Sequence, residues 1–307
     1  MTKSSIFNRT VLAAVFCAAA TGTAITNFTA HAQVANTGTG TTSPSGPNAA
    51  PAVRKTVYSA FLVTAAQQNA RLQNSLQWPF GGRMQAGWYL YAPLIAHTIG
   101  TDADPGTPEF AGSLAEWQSR NGIAGSGVVD PATLQTFVKH WQSQRLGRSD
   151  YPSSDKLLAA PIADFFDQTR DPSLLSLERE TYAAYKRMVA AAAKDKSLGL
   201  KLTASGELAP EEKFLRIVSA YRSREYQEQL RKREPKAGRA ALARHSPHFT
   251  GQALDIYVGG EPVTTKDANR AIQVQTPVYK WLVKNAHKFG FYPYFYEPWH
   301  WEYVPNK

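Results

Sequence analysis

Cysteine is nearly missing from this 307-residue chain: Cys17 is the only one. It lies in an N-terminal stretch that reads as removable, so the remaining chain can form no disulfide, hold no thiolate-ligated metal and offer no thiol nucleophile. Phe16 before Cys17 argues against a lipid-modified cysteine, whose box wants a small residue there. Long apolar runs are also lacking, and residues 11–20 are too short to span a bilayer comfortably. No dense basic block with interleaved aromatics occurs. The strongest basic run, Arg231, Lys232 and Arg233, is followed by Glu234 and reads as a solvated helix face. The net charge of +10 therefore gives no pointer to nucleic acid, and it suits membranes or anionic envelope polymers as well. No His-Glu-x-x-His spacing is present, which removes one common zinc motif. Ser153-Ser154-Asp155-Lys156 fits Ser-x-x-Lys, but no Lys-Thr-Gly follows it, so a penicillin-binding serine mechanism has no support.

What is present makes a folded, exported protein. Hydrophobic residues are 43% of the chain, enough for a buried core. Lys3 and Arg9 precede the apolar residues 11–20, and Ala30-His31-Ala32 offers small residues at a cleavage site before Gln33. Residues 1–32 thus read as a signal peptide, which places the mature chain in the periplasm or cell envelope, or outside the cell. Loss of Lys3 and Arg9 lowers the charge from +10 to +8. Residues 33–55, rich in Thr, Gly, Ser, Pro and Ala, cannot bury enough apolar surface to fold and read as a disordered linker.

Residues 56–147 read as a small helical unit. Leu114, Trp117 and Gln118 fall at helical spacing, and Gly122, Gly125 and Gly127 break it. Asp130-Pro131 then supplies an N-cap with proline at the first helical position. Thr133, Leu134, Phe137, Val138 and Trp141 continue as a second amphipathic helix. Over residues 110–142 this pattern resembles the peptidoglycan-binding domain found beside many wall hydrolases. That resemblance implies an all-α wall-binding unit; the competing reading is a generic helical packing domain.

Residues 148–307 read as a second domain. Asp171-Pro172 is expected to open a helix carrying Leu174, Leu177, Ala184, Tyr185, Met188, Val189 and Ala192. Residues 214–220 suit a strand, 223–233 a polar helix, and 253–258 alternate as a strand does. Thr276-Pro277 caps a helix with Trp281, Leu282, Ala286 and Phe289 on one side and Gly290 at its end. Residues 294–304 are aromatic-rich and extended. Helices and strands intermixed without a regular β-α repeat predict an α+β domain.

Two short stretches carry chemistry: Ser246-Pro247-His248-Phe249-Thr250-Gly251-Gln252-Ala253-Leu254-Asp255 and Glu297-Pro298-Trp299-His300. On a strand, Leu254, Ile256 and Val258 face one way, and Asp255 faces the other beside the small Ala253. Gly251 lets the chain bend back and bring His248 toward Asp255. Neutral imidazole and carboxylate are both good zinc ligands. Pro298 restricts the chain between Glu297 and His300, so their side chains can be held in a fixed relation, with His300 as a third ligand. Three protein ligands leave a fourth position for water, the mark of a catalytic zinc, and Glu297 can take that water's proton and pass it to a departing amine. Each residue alone has a plainer reading, as a packed histidine, a salt-bridge aspartate or an exposed glutamate. The two spacings together do not.

In both stretches the chain resembles the D-alanyl-D-alanine carboxypeptidases of the VanY type, within the wider group of D-Ala-D-Ala dipeptidases, lysostaphin-like enzymes and hedgehog signalling domains. The signature Ser-x-His-x-x-Gly-x-Ala-x-Asp, followed by Glu-x-x-His, is matched at every fixed position. Ser219-Ala220-Tyr221-Arg222-Ser223, with Gln227 after it, resembles the family's Tyr-Arg-Ser element, and the likeness spans residues 175–304. It implies a hedgehog/DD-peptidase-like zinc domain, a small antiparallel sheet flanked by helices. It further implies Zn2+ held by His248, Asp255 and His300, with Glu297 as catalytic base. Arg222 would steady the oxyanion or hold the substrate carbonyl, and Ser246 and Gln227 would touch substrate. His97, His140, His245 and His287 are given no part in the chemistry.

The implied partner is a peptidoglycan or muropeptide stem, and the implied reaction is loss of a terminal D-alanine. L,D-carboxypeptidase or endopeptidase action is the sister possibility, and a catalytically silent zinc-containing wall-binding protein is the non-enzymatic one. No nucleic acid and no stable membrane anchor after signal removal are expected. One departure stands out: Glu302 follows Trp301 where many relatives carry Arg. It is expected near the mouth of the site, bearing on substrate preference and leaving the metal set untouched.

Overall fold

A computed structural model describes residues 58–233 and 246–305; the signal segment, the linker and His245 lie outside the described residues. Helix α1 (Ala60–Ser75) starts at Ser59, whose Oγ accepts the Leu62 N–H. A hairpin of β1 (Gln77–Phe80) and β2 (Arg83–Ala86) follows, an element the helical periodicity of this unit does not announce. Helix α2 (Ala92–Ile99) leads to α3 (Pro108–Arg120) and α4 (Pro131–Gln144), the two helices expected around the glycine-rich turn. Both begin with proline behind a side-chain cap: Thr107 Oγ1 accepts the Phe110 N–H, and Asp130 Oδ1 accepts the Thr133 N–H at 2.7 Å.

Gln118 shows why the turn has this sequence. It is buried in α3, and its amide donates to Val128 O and Thr133 Oγ1, each at 2.9 Å, while its Oε1 accepts the Gly127 N–H at 2.8 Å. Asn69 of α1 donates to Gly127 O at 2.8 Å and accepts from Val129 N at 2.9 Å. Two side chains thus satisfy the backbone groups that the turn buries, and pin it to α1 and α3.

In the C-terminal part, β3 (Leu157–Ala159) pairs antiparallel with β4 (Ser176–Glu178). The helix expected from Asp171 starts later. Pro172–Leu174 is a single 3-10 turn, and α5 (Arg179–Ala193) begins only after Glu178, whose carboxylate accepts both the N–H and the hydroxyl of Thr181. Leu177 is buried as a strand residue, whereas Ala184, Tyr185, Met188, Val189 and Ala192 form the helical stripe. Then come β5 (Ile217–Ser219), α6 (Arg224–Arg233), β6 (Ala253–Ile256), α7 (Asp267–Gln275), α8 (Pro277–Asn285), β7 (Phe291–Pro293) and β8 (His300–Tyr303). The last four strands form one antiparallel sheet in the order β5-β6-β8-β7. Helices around small antiparallel sheets make the α+β architecture expected from the pattern.

Buried side chains of the two parts form one continuous cluster. Phe80, Tyr91 and Trp141 all meet Phe295, with ring centroids 4.8, 5.4 and 5.7 Å away. Removing these rings from water holds the helical unit against the segment before β8, so that the end of α4 arrives beside β8. Among the described residues no helix is long and apolar enough to cross a membrane.

Candidate active site

Strand register builds the first half of the site. β6 and β8 run antiparallel with Asp255 opposite His300 and Ala253 opposite Glu302. Side chains alternate along a strand, so these four share one face. The small Ala253 leaves room there for Glu302. His248 arrives from the 3-10 turn Pro247–Thr250, which Ser246 opens by accepting the His248 N–H on its Oγ at 3.3 Å. Gly251 closes that turn at φ 71°, and a Cβ there would lie 2.9 Å from the backbone nitrogen of Glu178. The positive φ and the close neighbour both require glycine.

The two imidazoles are turned in opposite directions. His248 Nδ1 lies 2.7 Å from the Ala220 carbonyl oxygen. A carbonyl only accepts, so Nδ1 carries the proton and Nε2 keeps its lone pair. That Nε2 is buried, has no hydrogen-bond partner, and lies 3.3 Å from Asp255 Oδ1. His300 is turned the other way, with Nε2 3.1 Å from Glu302 Oε1 and Nδ1 3.0 Å from Asp255 Oδ1. One ligand atom from each of His248, Asp255 and His300 lies within 4.8 Å of the others. Arg222 approaches the second carboxylate oxygen, Asp255 Oδ2, at 3.7 Å, and its backbone N–H donates to His248 O at 3.2 Å.

Glu297 is set by a tight turn. The His300 N–H donates to Glu297 O at 2.9 Å, with Pro298 at the position where a fixed φ suits such a turn. The Glu297 side chain is fully buried, and neither of its oxygens has a partner. Burial pushes its carboxyl up to about 7, although the charges of His300, Arg145 and Arg222 oppose the rise. Burial also lowers His248, favouring the neutral imidazole. For Asp255, burial works toward the acid form, but His248 and His300 outweigh it and hold the carboxyl well below the usual range. His300 is pushed up to about 9: burial disfavours its charge, and the hydrogen bonds to Asp255 and Glu302 prevail. Burial likewise opposes ionisation of Glu302, yet His300 and Arg145 bring it down to about 2.

These residues fit a cation. A buried imidazole lone pair without a partner, an ionised carboxylate beside it, a second imidazole turned to the same carboxylate and an unpartnered buried carboxyl are otherwise costly to leave together. The nitrogen and oxygen donors suit zinc.

The structure thus brings His248, Asp255 and His300 into one cluster, with Arg222 against it. Ser246 serves as the cap of the His248 turn. Gln227, on α6, is buried with its Oε1 unpartnered. His97, His140 and His287 line a separate hollow with Trp141 and Leu282, and Ser153 and Lys156 lie on an exposed turn. Glu302 corrects an expectation. It is not at the mouth of the site but fully buried, and it touches the cluster directly through His300 Nε2. Two-residue spacing on a strand puts His300 and Glu302 on one face, a signal that was present in the sequence. The Ala220 carbonyl and Arg145 were also missed. Arg145 reaches Glu302 across 157 positions of the chain, and no local pattern reports that contact.

A buried His-Asp-His cluster beside an unpartnered carboxyl could hold a metal ion, and metal-dependent hydrolases use nitrogen and oxygen donors of this kind. The particular family follows from comparison: residues 174–306 match the model of the VanY family, D-alanyl-D-alanine carboxypeptidase, and this segment is a VanY-type peptidase domain. No curated protein matches the chain. Among solved structures, that of the LdcB LD-carboxypeptidase, described as revealing the molecular basis of peptidoglycan recognition, is 28% identical. The match covers 53% of this chain and 73% of that one, at a TM-score of 0.36.

Proposed function

We propose that the chain is an exported zinc-dependent carboxypeptidase that removes the terminal D-alanine from peptidoglycan stem peptides. The observation that carries this reading is the buried cluster of His248, Asp255 and His300 with the Glu297 carboxyl left unpartnered. The accompanying organisation is a signal peptide over 1–32, a linker over 33–55, a wall-binding-like helical unit over 56–147 and the peptidase over 148–307. The basic charge suits attraction to an anionic envelope.

His248 Nε2, an Asp255 oxygen and His300 Nδ1 would hold the zinc, which supplies activation of water and polarisation of the scissile carbonyl. Glu297 takes the proton of the attacking water and delivers it to the departing D-alanine amine. Its burial suits both halves of that task. Burial favours the acid form of Glu297, which suits a group that must hold the proton between the two transfers. Arg222 lies beside Asp255 and is partly open, so a substrate carbonyl can reach its guanidinium, which takes up charge developing on the carbonyl oxygen. Gln227 and Ser246 are assigned to substrate contact, Gln227 through its unpartnered Oε1.

The test is digestion of purified muropeptides by the chain lacking residues 1–32, with and without a chelator, read by mass spectrometry. Chelator-sensitive loss of one alanine from pentapeptide stems is expected. Loss from tetrapeptides would reassign the enzyme to L,D-carboxypeptidases, and cut cross-links would reassign it to endopeptidases. Intact substrates with zinc bound would make the site a silent scaffold.

A further inference from the structure

A metal-ligating histidine works through one nitrogen, and the group on its other nitrogen decides which one is free. For His300 that group is Glu302. The carboxylate is fully buried and held from three directions. Its Oε1 accepts from His300 Nε2 at 3.1 Å and from Arg145, with Nε at 2.9 Å; its Oε2 accepts the Leu146 N–H at 2.8 Å. An ionised carboxylate only accepts, so Glu302 keeps a proton on Nε2 and leaves Nδ1, the nitrogen that faces Asp255, as the one free to ligate once its own proton has left. Arg145 is itself fixed: Nη1 donates to Gln142 Oε1 at 2.8 Å, and the guanidinium lies over the Tyr294 ring at 4.1 Å. Gln142 belongs to α4, and Arg145 and Leu146 follow directly after it.

We propose that Glu302 is a positioning residue for His300, and that the end of α4 sets it through Arg145 and Leu146. The metal centre is thereby completed by the N-terminal helical unit, whose docking becomes a condition of metal affinity. The proposal rests on the reading of His300 as a metal ligand. Removing a carboxylate that orients a metal-bound histidine costs roughly 10- to 100-fold in metal affinity or activity.

The experiment measures zinc affinity of the chain lacking residues 1–32 by competition with a chromophoric chelator, for the parent, Glu302→Gln and Arg145→Lys, with apo-protein melting recorded alongside. Glu302→Gln should weaken zinc about 10- to 100-fold and lower kcat while leaving KM nearly unchanged. Arg145→Lys keeps the charge but loses the planar fork, and it should weaken zinc in the same direction by a smaller factor. It also serves as the readable variant if Glu302→Gln does not fold. A purely structural role would lower apo melting with zinc affinity within about twofold of the parent, and that result overturns the proposal. A parent that binds zinc but cleaves no muropeptide would defeat the peptidase reading alone, since the affinity comparison would still stand. A parent that binds no zinc would defeat both.

Discussion

Gly251→Ala tests whether the His248 turn is held by backbone geometry. Gly251 sits at φ 71°, and an added Cβ would lie 2.9 Å from the Glu178 backbone nitrogen and 3.2 Å from Leu157 Cδ2. The Glu178 backbone has little freedom to yield, because its N–H donates to Gly251 O at 3.1 Å and its carboxylate caps α5. A non-glycine residue in the left-handed region costs about 1–2 kcal/mol, and forcing a methyl into a packed site adds about 1–3 kcal/mol. The sum is about 2–5 kcal/mol, which for a chain of this size lowers Tm by roughly 5–15 °C. Gly199→Ala is the control: its φ is 62° and its added Cβ meets nothing within 4 Å, so only the conformational cost applies. Thermal melts of the two variants side by side separate the contributions. If both melt at the same temperature, the contact with Glu178 contributes nothing and this explanation of the motif glycine is wrong.

Glu297→Gln should retain zinc and lose turnover by roughly 10²- to 10⁴-fold, read as bound metal and rate on one preparation; a rate within tenfold of the parent would remove Glu297 from the proton path. Zinc affinity should fall with acidity. His300, with its value raised to about 9, keeps a proton below that pH that must leave before Nδ1 can ligate. The expected change is about tenfold per pH unit, or about a hundredfold between pH 8.5 and 6.5, and a flat profile would contradict the assigned donor. Gln118→Leu should destabilise the chain by about 1–3 kcal/mol, since it leaves the Gly127 N–H without its buried partner, while the Val128 carbonyl still accepts the Asp130 N–H. Urea unfolding reads this, and a loss under about 1 kcal/mol would show that water or neighbours replace the amide.

That His248, Asp255 and His300 come together was legible because their positions follow from local geometry. The period of two along β6 and β8 fixes the faces of Asp255 and His300, and Pro298 and Gly251 fix the turns that present Glu297 and His248. Helix starts were legible where a side-chain cap preceded proline, as at Asp130-Pro131 and Thr276-Pro277. At Asp171-Pro172 the same signal opened only a 3-10 turn. There the chain pairs Ser176–Glu178 with Leu157–Ala159, and that long-range ladder prevails over the local cap. Glu302 was misjudged for a related reason. A glutamate next to a catalytic motif reads as exposed unless a cation is known to meet it, and Arg145 comes from another part of the chain. Tertiary partners of that kind leave no periodic trace in a single sequence.

The most direct test of the metal-dependent peptidase reading is to strip the chain lacking residues 1–32 with a chelator and return zinc in measured steps, following release of D-alanine from a pentapeptide stem. Activity should be absent at the start and rise linearly to a plateau at one zinc per chain. Full activity in the stripped protein, or none at one bound equivalent, would contradict it.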